Sequence, residues 1–345
     1  MYQDRIELYK QLGEAFDSEV LLYVTGDRKN METQIASDVI DCFIKQLDAI
    51  GTCKKISLYL YTRGGETAAA WNIINLIRMF ADNLQVIVPN KAHSAGTIIS
   101  LGANEIVMTK QATLSPIDPS INTPLNPPIP NITETMPVSV EAVKGYLEFA
   151  REELKIEDDV ALANIFMKLT ESVHPLVLGQ VYRSKSQIQM LAKKLLVNQV
   201  EDEKQIANII DFLCSESGSH DYTINRREAK DELCLKVIKP TSDQYTIIKN
   251  IYEDISQELQ LTSAFNVNEI NGAYVARRCL LESVKGGSDY FATEGQILRA
   301  KLPNGQVAIQ KAISFEGWRH ENSTISEISI DSNEEQEIKY ERSED

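Results

Sequence analysis

The sequence predicts an α/β fold built around a parallel β-sheet. In its first half, short segments rich in apolar and β-branched residues alternate with segments of 3.6-residue apolar periodicity. Strands that alternate with helices in this way pair in parallel, and each helix crosses over from one strand to the next. The strand segments are nearly continuous apolar runs, which is typical of strands covered on both faces.

Four strands are predicted in this half, at residues 19–25, 55–61, 84–89 and 105–109. The helices predicted between them cover residues 34–50, 66–81 and 95–103. Seven of the 11 prolines then fall between Pro116 and Pro137. Proline lacks an N–H donor and fixes φ, so this segment is neither a regular helix nor a central strand. Its length indicates a functional or mobile loop.

The second half is mainly helical, with helices predicted at residues 138–154, 158–173, 184–198, 202–214, 226–233 and 242–259. Two short strands, at residues 305–308 and 312–315, are predicted near the turn Pro303-Asn304-Gly305. We therefore predict an α/β domain of residues 1–240, a small α+β extension of residues 241–320, and an acidic disordered tail of residues 321–345.

Composition places the chain among ordinary soluble globular proteins, since 43% of its 345 residues are hydrophobic and 25% are charged. The formal net charge is −15, and the tail alone, with nine acidic and two basic side chains, contributes −7. Neither the body nor the tail has the clustered Lys and Arg that nucleic-acid binding requires. We expect the tail to be solvated, and a docking role is the alternative.

The sequence lacks the features of a membrane-bound or secreted protein, and this predicts where in the cell the protein is found. No segment approaches the ~20 apolar residues of a membrane span, and the N-terminus has no apolar core of a signal peptide. The five cysteines are scattered, without CxxC or metal-ligand spacing, which favours reduced and packed thiols. The sequence therefore predicts a cytoplasmic protein without a metal site.

The first candidate motif is Thr62-Arg63-Gly64-Gly65-Glu66, between a predicted strand and a predicted helix. Two glycines allow the backbone to turn without a Cβ atom in the way, and they present N–H groups at the start of a helix. Such groups could form half of an oxyanion hole. A plain tight turn is the alternative, and phosphate binding is disfavoured because no GxGxxG or GxxxxGK pattern follows.

The second motif is Ala92-His93-Ser94-Ala95-Gly96-Thr97, at the next strand-to-helix junction. A serine hydroxyl at the start of a helix is well placed to act as a nucleophile. The alternative is a purely structural role for Ser94 as the N-cap of this helix. Both motifs follow neighbouring strands, and the carboxyl ends of such strands form the ligand sites of open α/β sheets. We therefore predict that Ser94 meets an oxyanion hole formed by the N–H groups of Gly64, Gly65 and Ala95.

These paired motifs resemble the Clp-protease/crotonase superfamily, and more closely the serine dehydrogenase proteinase family, which is related to signal peptide peptidase A. The resemblance runs from about residue 15 to residue 240, and a weaker likeness continues to Gly317-Trp318-Arg319. It rests on the two motifs above and on four further segments, which are Glu105-Ile106-Val107-Met108, Ser115-Pro116-Ile117-Asp118-Pro119, His174-Pro175-Leu176-Val177-Leu178-Gly179 and Ser219-His220-Asp221-Tyr222. It implies a repeated ββα core with helical additions, peptidase activity with Ser94 as nucleophile, and an oligomer. Nothing in the sequence suggests a nicotinamide or pyridoxal phosphate site, so no dehydrogenase activity is inferred.

The general base is less clear, because the Clp-type histidine is missing from residues 114–119. His220 is the favoured base, since it lies where Clp-type peptidases place their catalytic aspartate, and Asp118 or Asp221 would orient it. A histidine that caps or bridges backbone in this turn is the alternative. Lys144, which follows Ser94 by 50 residues, matches the lysine base of signal peptide peptidase A, although it lies in a charged surface helix. His93 is a further alternative base, with its side chain predicted to point away from Ser94.

The sequence thus predicts a serine endopeptidase that works through an acyl-enzyme on Ser94 and needs no cofactor. We expect peptides or unfolded proteins as substrates, with the proline-rich loop beside the substrate channel. A homo-oligomer is expected, and any ATP dependence would come from a separate ATPase or regulatory partner, because no nucleotide-binding loop is visible. The alternatives are a catalytically inactive scaffold or regulatory module, and a crotonase-like acyl-thioester hydrolase that uses the same oxyanion hole.

Overall fold

A computed structural model describes residues 1–117, 120–130, 132, 134–216, 222–301 and 307–322 of the chain. Within these residues the strands are β1 (Glu19–Thr25), β2 (Cys53–Tyr61), β3 (Ala81–Val88), β4 (Lys91–Ala92), β5 (Glu105–Met108), β6 (Thr113–Leu114), β7 (Ser120–Ile121), β8 (Val138–Ser139), β9 (Ile224–Asn225), β10 (Val237–Ile238), β11 (Gly272–Ser283), β12 (Gly287–Lys301) and β13 (Val307–Glu321).

The α-helices of the same residues are α1 (Tyr2–Phe16), α2 (Ile40–Ile50), α3 (Thr67–Phe80), α4 (Ala95–Leu101), α5 (Val140–Glu148), α6 (Asp159–Ser172), α7 (Pro175–Leu196), α8 (Glu203–Asp211), α9 (Arg226–Asp231) and α10 (Ser242–Glu258). Helices α5 and α8 each continue into a π-helical turn. The predicted α/β alternation of the first half is confirmed.

The main sheet has the strand order β10-β5-β3-β2-β1-β11-β12-β13. The five strands from β10 to β1 are parallel, and β11, β12 and β13 join antiparallel. The chain passes from β1 to β2, β3 and β5 in one direction across the sheet. Because crossover connections share one hand, helices α2, α3 and α4 all lie on the same face. The carboxyl ends of these strands therefore meet at one edge.

Two apolar cores cover the sheet. The larger core lies on the face of α2, α3 and α4, where side chains such as Phe43, Ile73 and Ile98 pack with the C-terminal half of α7 and with α8. The second core lies on the opposite face, where Leu12 of α1 and Ile251 of α10 are buried against the sheet. A sheet buried on both faces explains the continuous apolar runs of β1, β2 and β3.

Two predicted helix starts are wrong for local reasons. The helix predicted from residue 34 begins later, because Ile35 is extended and forms a β-bridge with Gly65; a 3₁₀ turn (Ser37–Val39) and then α2 follow. Helix α7 begins at Pro175 rather than at residue 184. Its first turn is fixed by Pro175, which suits the first helical position, and by Nδ1 of His174, which accepts the N–H of Leu176 at 3.2 Å.

The C-terminal strands are longer than predicted. Instead of two short strands, β11, β12 and β13 form a long antiparallel ribbon, and β11 pairs with β1 from Cys279 to Ser283. Charged residues such as Arg277 and Arg278 interrupt the apolar pattern of β11, although each arginine forms an ion pair with a glutamate in the fold. The division into residues 1–240, 241–320 and 321–345 stays a prediction, and residues 323–345 of the tail lie outside the described residues.

A small second sheet, β4-β6-β9, lies at the carboxyl end of the main sheet. It is joined to β2 by a parallel bridge between Thr62 and Ala92. The N–H of Thr62 donates to Lys91 O at 3.1 Å, and the N–H of His93 donates to Thr62 O at 3.1 Å. This bridge brings Gly64 beside Ser94, while Gly65 lies against Ile35. None of the helices in the described residues is both long and apolar enough to span a membrane.

Candidate active site

Ser94 occupies a sharp, strained turn between β4 and α4. Its backbone angles are φ 51° and ψ −110°, a combination that residues with a Cβ atom rarely adopt. Such strain persists only where the surrounding structure holds it, and it is concentrated at functional sites. Although Ser94 precedes the first residue of α4, its hydroxyl makes no capping hydrogen bond. The structure therefore argues against the interpretation of Ser94 as a plain N-cap.

Ser115 and Thr97 hold this turn. Ser115 is buried, and its hydroxyl accepts the N–H of Ser94 at 2.8 Å while it donates to Pro116 O at 3.0 Å. The hydroxyl of Thr97 accepts the N–H of Ser115 at 3.1 Å, and its oxygen lies 2.8 Å from Ser115 O and 3.1 Å from Ala92 O. These bonds connect α4 to the segment after β6, so the strained backbone of Ser94 is fixed from two sides.

The backbone of Gly64 lies against the side chain of Ser94. A Cβ atom on Gly64 would be 2.8 Å from Cβ of Ser94 and 3.3 Å from its Oγ, and Gly64 has a φ of 117° that other residues avoid. Neither the space nor the conformation admits a side chain. Gly96, in contrast, faces Thr62, whose Cγ2 would lie 2.4 Å from an added Cβ. Gly96 therefore serves packing inside the fold.

The N–H groups of the glycine turn differ in their partners. The N–H of Gly64 donates to Oγ1 of Thr62 at 3.0 Å, and Thr62 in turn accepts the hydroxyl of Thr25 at 2.7 Å. No hydrogen bond joins the N–H of Gly65 or of Ala95 to another described residue. Of the three predicted oxyanion donors, Gly65 and Ala95 thus remain available, whereas Gly64 has an internal partner.

The structure does not describe the predicted triad partners of Ser94. His220, Asp221 and Asp118 lie outside the described residues, so their roles stay predictions. Lys144 is on α5, with Nζ 3.1 Å from Oε1 of Glu148 and a further interaction besides.

His93, the second alternative base, is half-buried and directly precedes the strained Ser94 turn. Its Nε2 lies 2.8 Å from Oγ1 of Thr113, and the residue makes a further interaction besides. Among the described residues, no hydrogen bond joins the hydroxyl of Ser94 to a histidine or lysine.

The other described histidines have structural partners. His174 caps α7, and Nδ1 of His320 lies 2.9 Å from Oδ1 of Asp289. Across the described residues, no three His, Cys, Asp or Glu side chains are grouped closely enough to hold a metal ion. Sequence reasoning gave no role to Ser115, Thr97 or Thr62. Thr62 and Ser115 each follow a strand directly, whereas Thr97 lies in the first turn of α4, and a hydroxyl at these places is the only signal in the sequence.

This arrangement of a glycine turn, a strained serine and a second small sheet can be compared with known proteins. Residues 35–142 match the family model of the ClpP-like SDH-type serine proteinases. The resemblance to the serine dehydrogenase proteinase family is thereby confirmed, and so is the predicted fold class, an α/β core of the Clp-protease type. The matched segment contains the glycine turn, Ser94 and Ser115.

Two curated relatives are uncharacterized proteins of Methanocaldococcus jannaschii. One is 29% identical over 200 residues, which are 58% of this chain and 59% of the relative; the other is 38% identical over 66 residues, which are 19% of this chain and 23% of the relative. The chain thus spans well under two thirds of the length of either relative.

Two solved structures of proteases align with much of the chain at low identity. The 1510-N membrane-bound stomatin-specific protease has 17% identity and a TM-score of 0.36, with coverage of 68% of this chain and 86% of that one. ClpP1 from Listeria monocytogenes has 14% identity and a TM-score of 0.36, with coverage of 70% and 98%.

Proposed function

We propose that the chain is a serine endopeptidase whose nucleophile is Ser94. The observation that carries the proposal is the strained Ser94 turn, with its hydroxyl free of a cap and pressed against the backbone of Gly64. The match of residues 35–142 to a family of serine proteinases supports the same reaction. No observation favours the inactive scaffold or the acyl-thioester hydrolase over this function.

In this reaction the hydroxyl oxygen of Ser94 attacks the peptide carbonyl and forms a tetrahedral intermediate. The N–H groups of Gly65 and Ala95 donate to the oxygen that becomes negative, and each such donor contributes ~10²–10³ to the rate. Gly64 lets the substrate carbonyl and the hydroxyl come together, because it adds no side chain between them. The amine product leaves, and water then hydrolyses the acyl-enzyme.

The base that takes and returns the proton of Ser94 is proposed to be His220, oriented by Asp118 or Asp221. This assignment follows from the sequence resemblance. His93 and Lys144 are kept as alternatives, and both make other interactions in the structure. Substitution of each candidate by alanine, followed by measurement of the pH dependence of kcat/KM, distinguishes them, since only loss of the true base removes the ascending limb of the profile.

The first experiment is labelling of the full chain with a fluorophosphonate, which reacts with activated serines. We expect the wild type to be labelled at Ser94, the Ser94→Ala variant to be unlabelled, and His220→Ala to react more slowly. Ser242→Ala, which removes an exposed serine at the start of α10, is the matched control and keeps the wild-type rate. A wild type that stays unlabelled, or a label on another serine, would contradict the proposal and favour the scaffold interpretation.

We also propose that the protein is a cytoplasmic homo-oligomer that acts on peptides or unfolded chains, alone or with a separate ATPase. Association is supported by α6, which buries none of its side chains although Val160, Phe166 and Met167 are large and exposed. A second copy of the chain would cover this face. Light scattering of the wild type and of Met167→Glu tests it, and a wild type that runs as a monomer at every concentration would overturn it.

A further inference from the structure

A cavity of about 210 Å³ lies beside β1, between residues 32–38 and strands β11, β12 and β13. We call it the Tyr23 pocket. Tyr23, Phe291 and Trp318 contribute its aromatic surface, and the rings of Phe291 and Trp318 meet edge to face with centroids 5.7 Å apart. The volume is below the ~300–1,000 Å³ of pockets for drug-sized ligands. It therefore suits a single side chain.

Tyr23 lines the pocket with its side chain. This side chain is only 1% exposed. Burial, together with the nearby Cys279 and Asp38, raises the pKa of Tyr23, and the phenol stays neutral at physiological pH.

The charges that line the pocket sum to a negative value. Glu32, Asp38 and Glu316 oppose one cation, Arg278. The guanidinium of Arg278 is occupied, because it donates to Met31 O at 3.0 Å, to Glu32 O at 2.7 Å, and to Oγ1 of Thr293 and Oε2 of Glu316 at 2.9 and 3.0 Å.

Once Arg278 has neutralised Glu316, the carboxylates of Glu32 and Asp38 remain. Asp38 accepts Nε1–H of Trp318 at 2.8 Å, which leaves its negative charge uncompensated beside an aromatic ring.

The pocket is connected to the glycine turn of the candidate active site. Gln34 and Ala36 line the pocket, and Ile35 between them donates its N–H to Gly64 O at 2.8 Å. Ile35 O accepts the N–H of Glu66, also at 2.8 Å. Two residues of extended chain span roughly 7 Å, so the pocket begins about that far from the turn. A side chain of a substrate bound at Ser94 would have to span this distance to enter the pocket.

We propose that the Tyr23 pocket is a subsite that binds a cationic side chain, lysine or arginine, of the peptide substrate. The carboxylates of Glu32 and Asp38, the ring of Trp318 and a neutral phenol together suit an ammonium or guanidinium group, through charge-assisted hydrogen bonds and cation–π contact. The ring of Phe291 is already covered by the guanidinium of Arg278, 5.7 Å from its centroid. The inference rests on the proposed peptidase function of Ser94, and it adds to that function a preference in the substrate.

The test measures binding rather than turnover, with the full chain carrying Ser94→Ala. Two capped, dye-labelled pentapeptides differ only at the central residue, which is lysine in one and uncharged norleucine in the other, and fluorescence anisotropy gives their affinities. We expect the lysine peptide to bind about tenfold more tightly, which corresponds to ~1.4 kcal/mol. Glu32→Gln or Asp38→Asn, added to the Ser94→Ala variant, should each reduce the ratio of the two affinities towards one. The asparagine at position 38 still offers an acceptor to Nε1–H of Trp318. Asp48→Asn, an exposed change on α2, is the matched control and keeps the ratio.

Equal affinities for the two peptides, or no measurable binding of either at millimolar concentration, would overturn the subsite. A ratio that survives both Glu32→Gln and Asp38→Asn would also overturn it, because the selectivity would then come from elsewhere. Fluorophosphonate labelling decides the peptidase function separately. Selective binding without labelling would keep the pocket and remove the peptidase, whereas labelling with equal binding would do the reverse.

Discussion

Gly64 and Ser94 are in direct contact across the candidate site: a Cβ atom on Gly64 would lie 2.8 Å from Cβ of Ser94. The two residues are 30 positions apart, and the bridge between Thr62 and Ala92 brings them together. Because this contact joins the proposed nucleophile to the proposed oxyanion turn, both the chemistry and the stability of the site depend on it.

Replacement of Gly64 by alanine should abolish fluorophosphonate labelling of Ser94. The added methyl group would collide with Ser94 and with His93 O, and alanine would be strained at a φ of 117°. We expect a loss of ~1–3 kcal/mol in the free energy of unfolding, measured in urea. Gly179→Ala is the control, since nothing lies within 4 Å of its Cβ position on α7, and it should label normally. Normal labelling of Gly64→Ala would show that the turn does not border the nucleophile.

Replacement of Ser115 by alanine should slow the labelling of Ser94 about tenfold or more. The change removes the acceptor of the Ser94 N–H and leaves that half-buried donor unpaired, at a cost of about 1 kcal/mol. The second-order rate of labelling and the thermal midpoint are measured together. Thr97→Ser, which keeps the bridging hydroxyl, should react faster than Thr97→Val, which lacks it. If the rates of all variants follow only their thermal midpoints, Ser115 has no positioning role.

Replacement of Glu282 by glutamine should strongly destabilise the fold. Glu282 is fully buried and accepts Arg5 Nη2 at 2.7 Å, the hydroxyl of Tyr9 at 2.5 Å and that of Ser288 at 2.7 Å. Loss of one partner from a buried ion pair costs ~3–5 kcal/mol, because the other charge stays buried.

Urea unfolding measures this loss. Glu253→Gln is the matched control, because its exposed pair with Lys249 should contribute less than ~1 kcal/mol. Equal effects of the two changes would show that Asp254 and Glu258 compensate fully at Arg5.

Stability should fall as the pH rises above about 9. Burial raises the pKa of Cys42 from 9.0 to about 12, and it raises the pKa of Tyr9 and Tyr59 well above 10.0. The folded state holds these protons where the unfolded state has released them, so this contribution is fully present below pH 9 and is lost as the pH approaches 12. Urea midpoints at pH 8, 9, 10 and 11, in reductant, should decrease steadily. Cys42→Ala should weaken the decrease between pH 9 and 10, and a midpoint that is constant to pH 11 would contradict the prediction.

The parallel part of the sheet was predictable because its signal is local. Strand β1 has the predicted bounds, and β2, β3 and β5 differ from theirs by one to three residues, since each is a short apolar run that ends at turn residues. The start of α2 was not predictable, because the periodicity that includes Ile35 gave no sign of its bridge to Gly65. Strand β11 was missed for a related reason, since the partners that accommodate Arg277 and Arg278 are distant in the sequence.

By itself, the sequence determined the α/β alternation and the two motifs, and it led to the proposal of Ser94 as nucleophile, because each rests on neighbouring residues whose types restrict the local backbone. Only the tertiary structure decided which of the predicted oxyanion N–H groups remain available, that Ser115 and Thr97 hold the backbone turn of Ser94, and that Tyr23 lines a pocket beside the glycine turn. These features depend on contacts between residues far apart in the chain. Such contacts arise when the bridge from Thr62 to Ala92 and the pairing of β1 with β11 bring separate segments to one edge of the sheet.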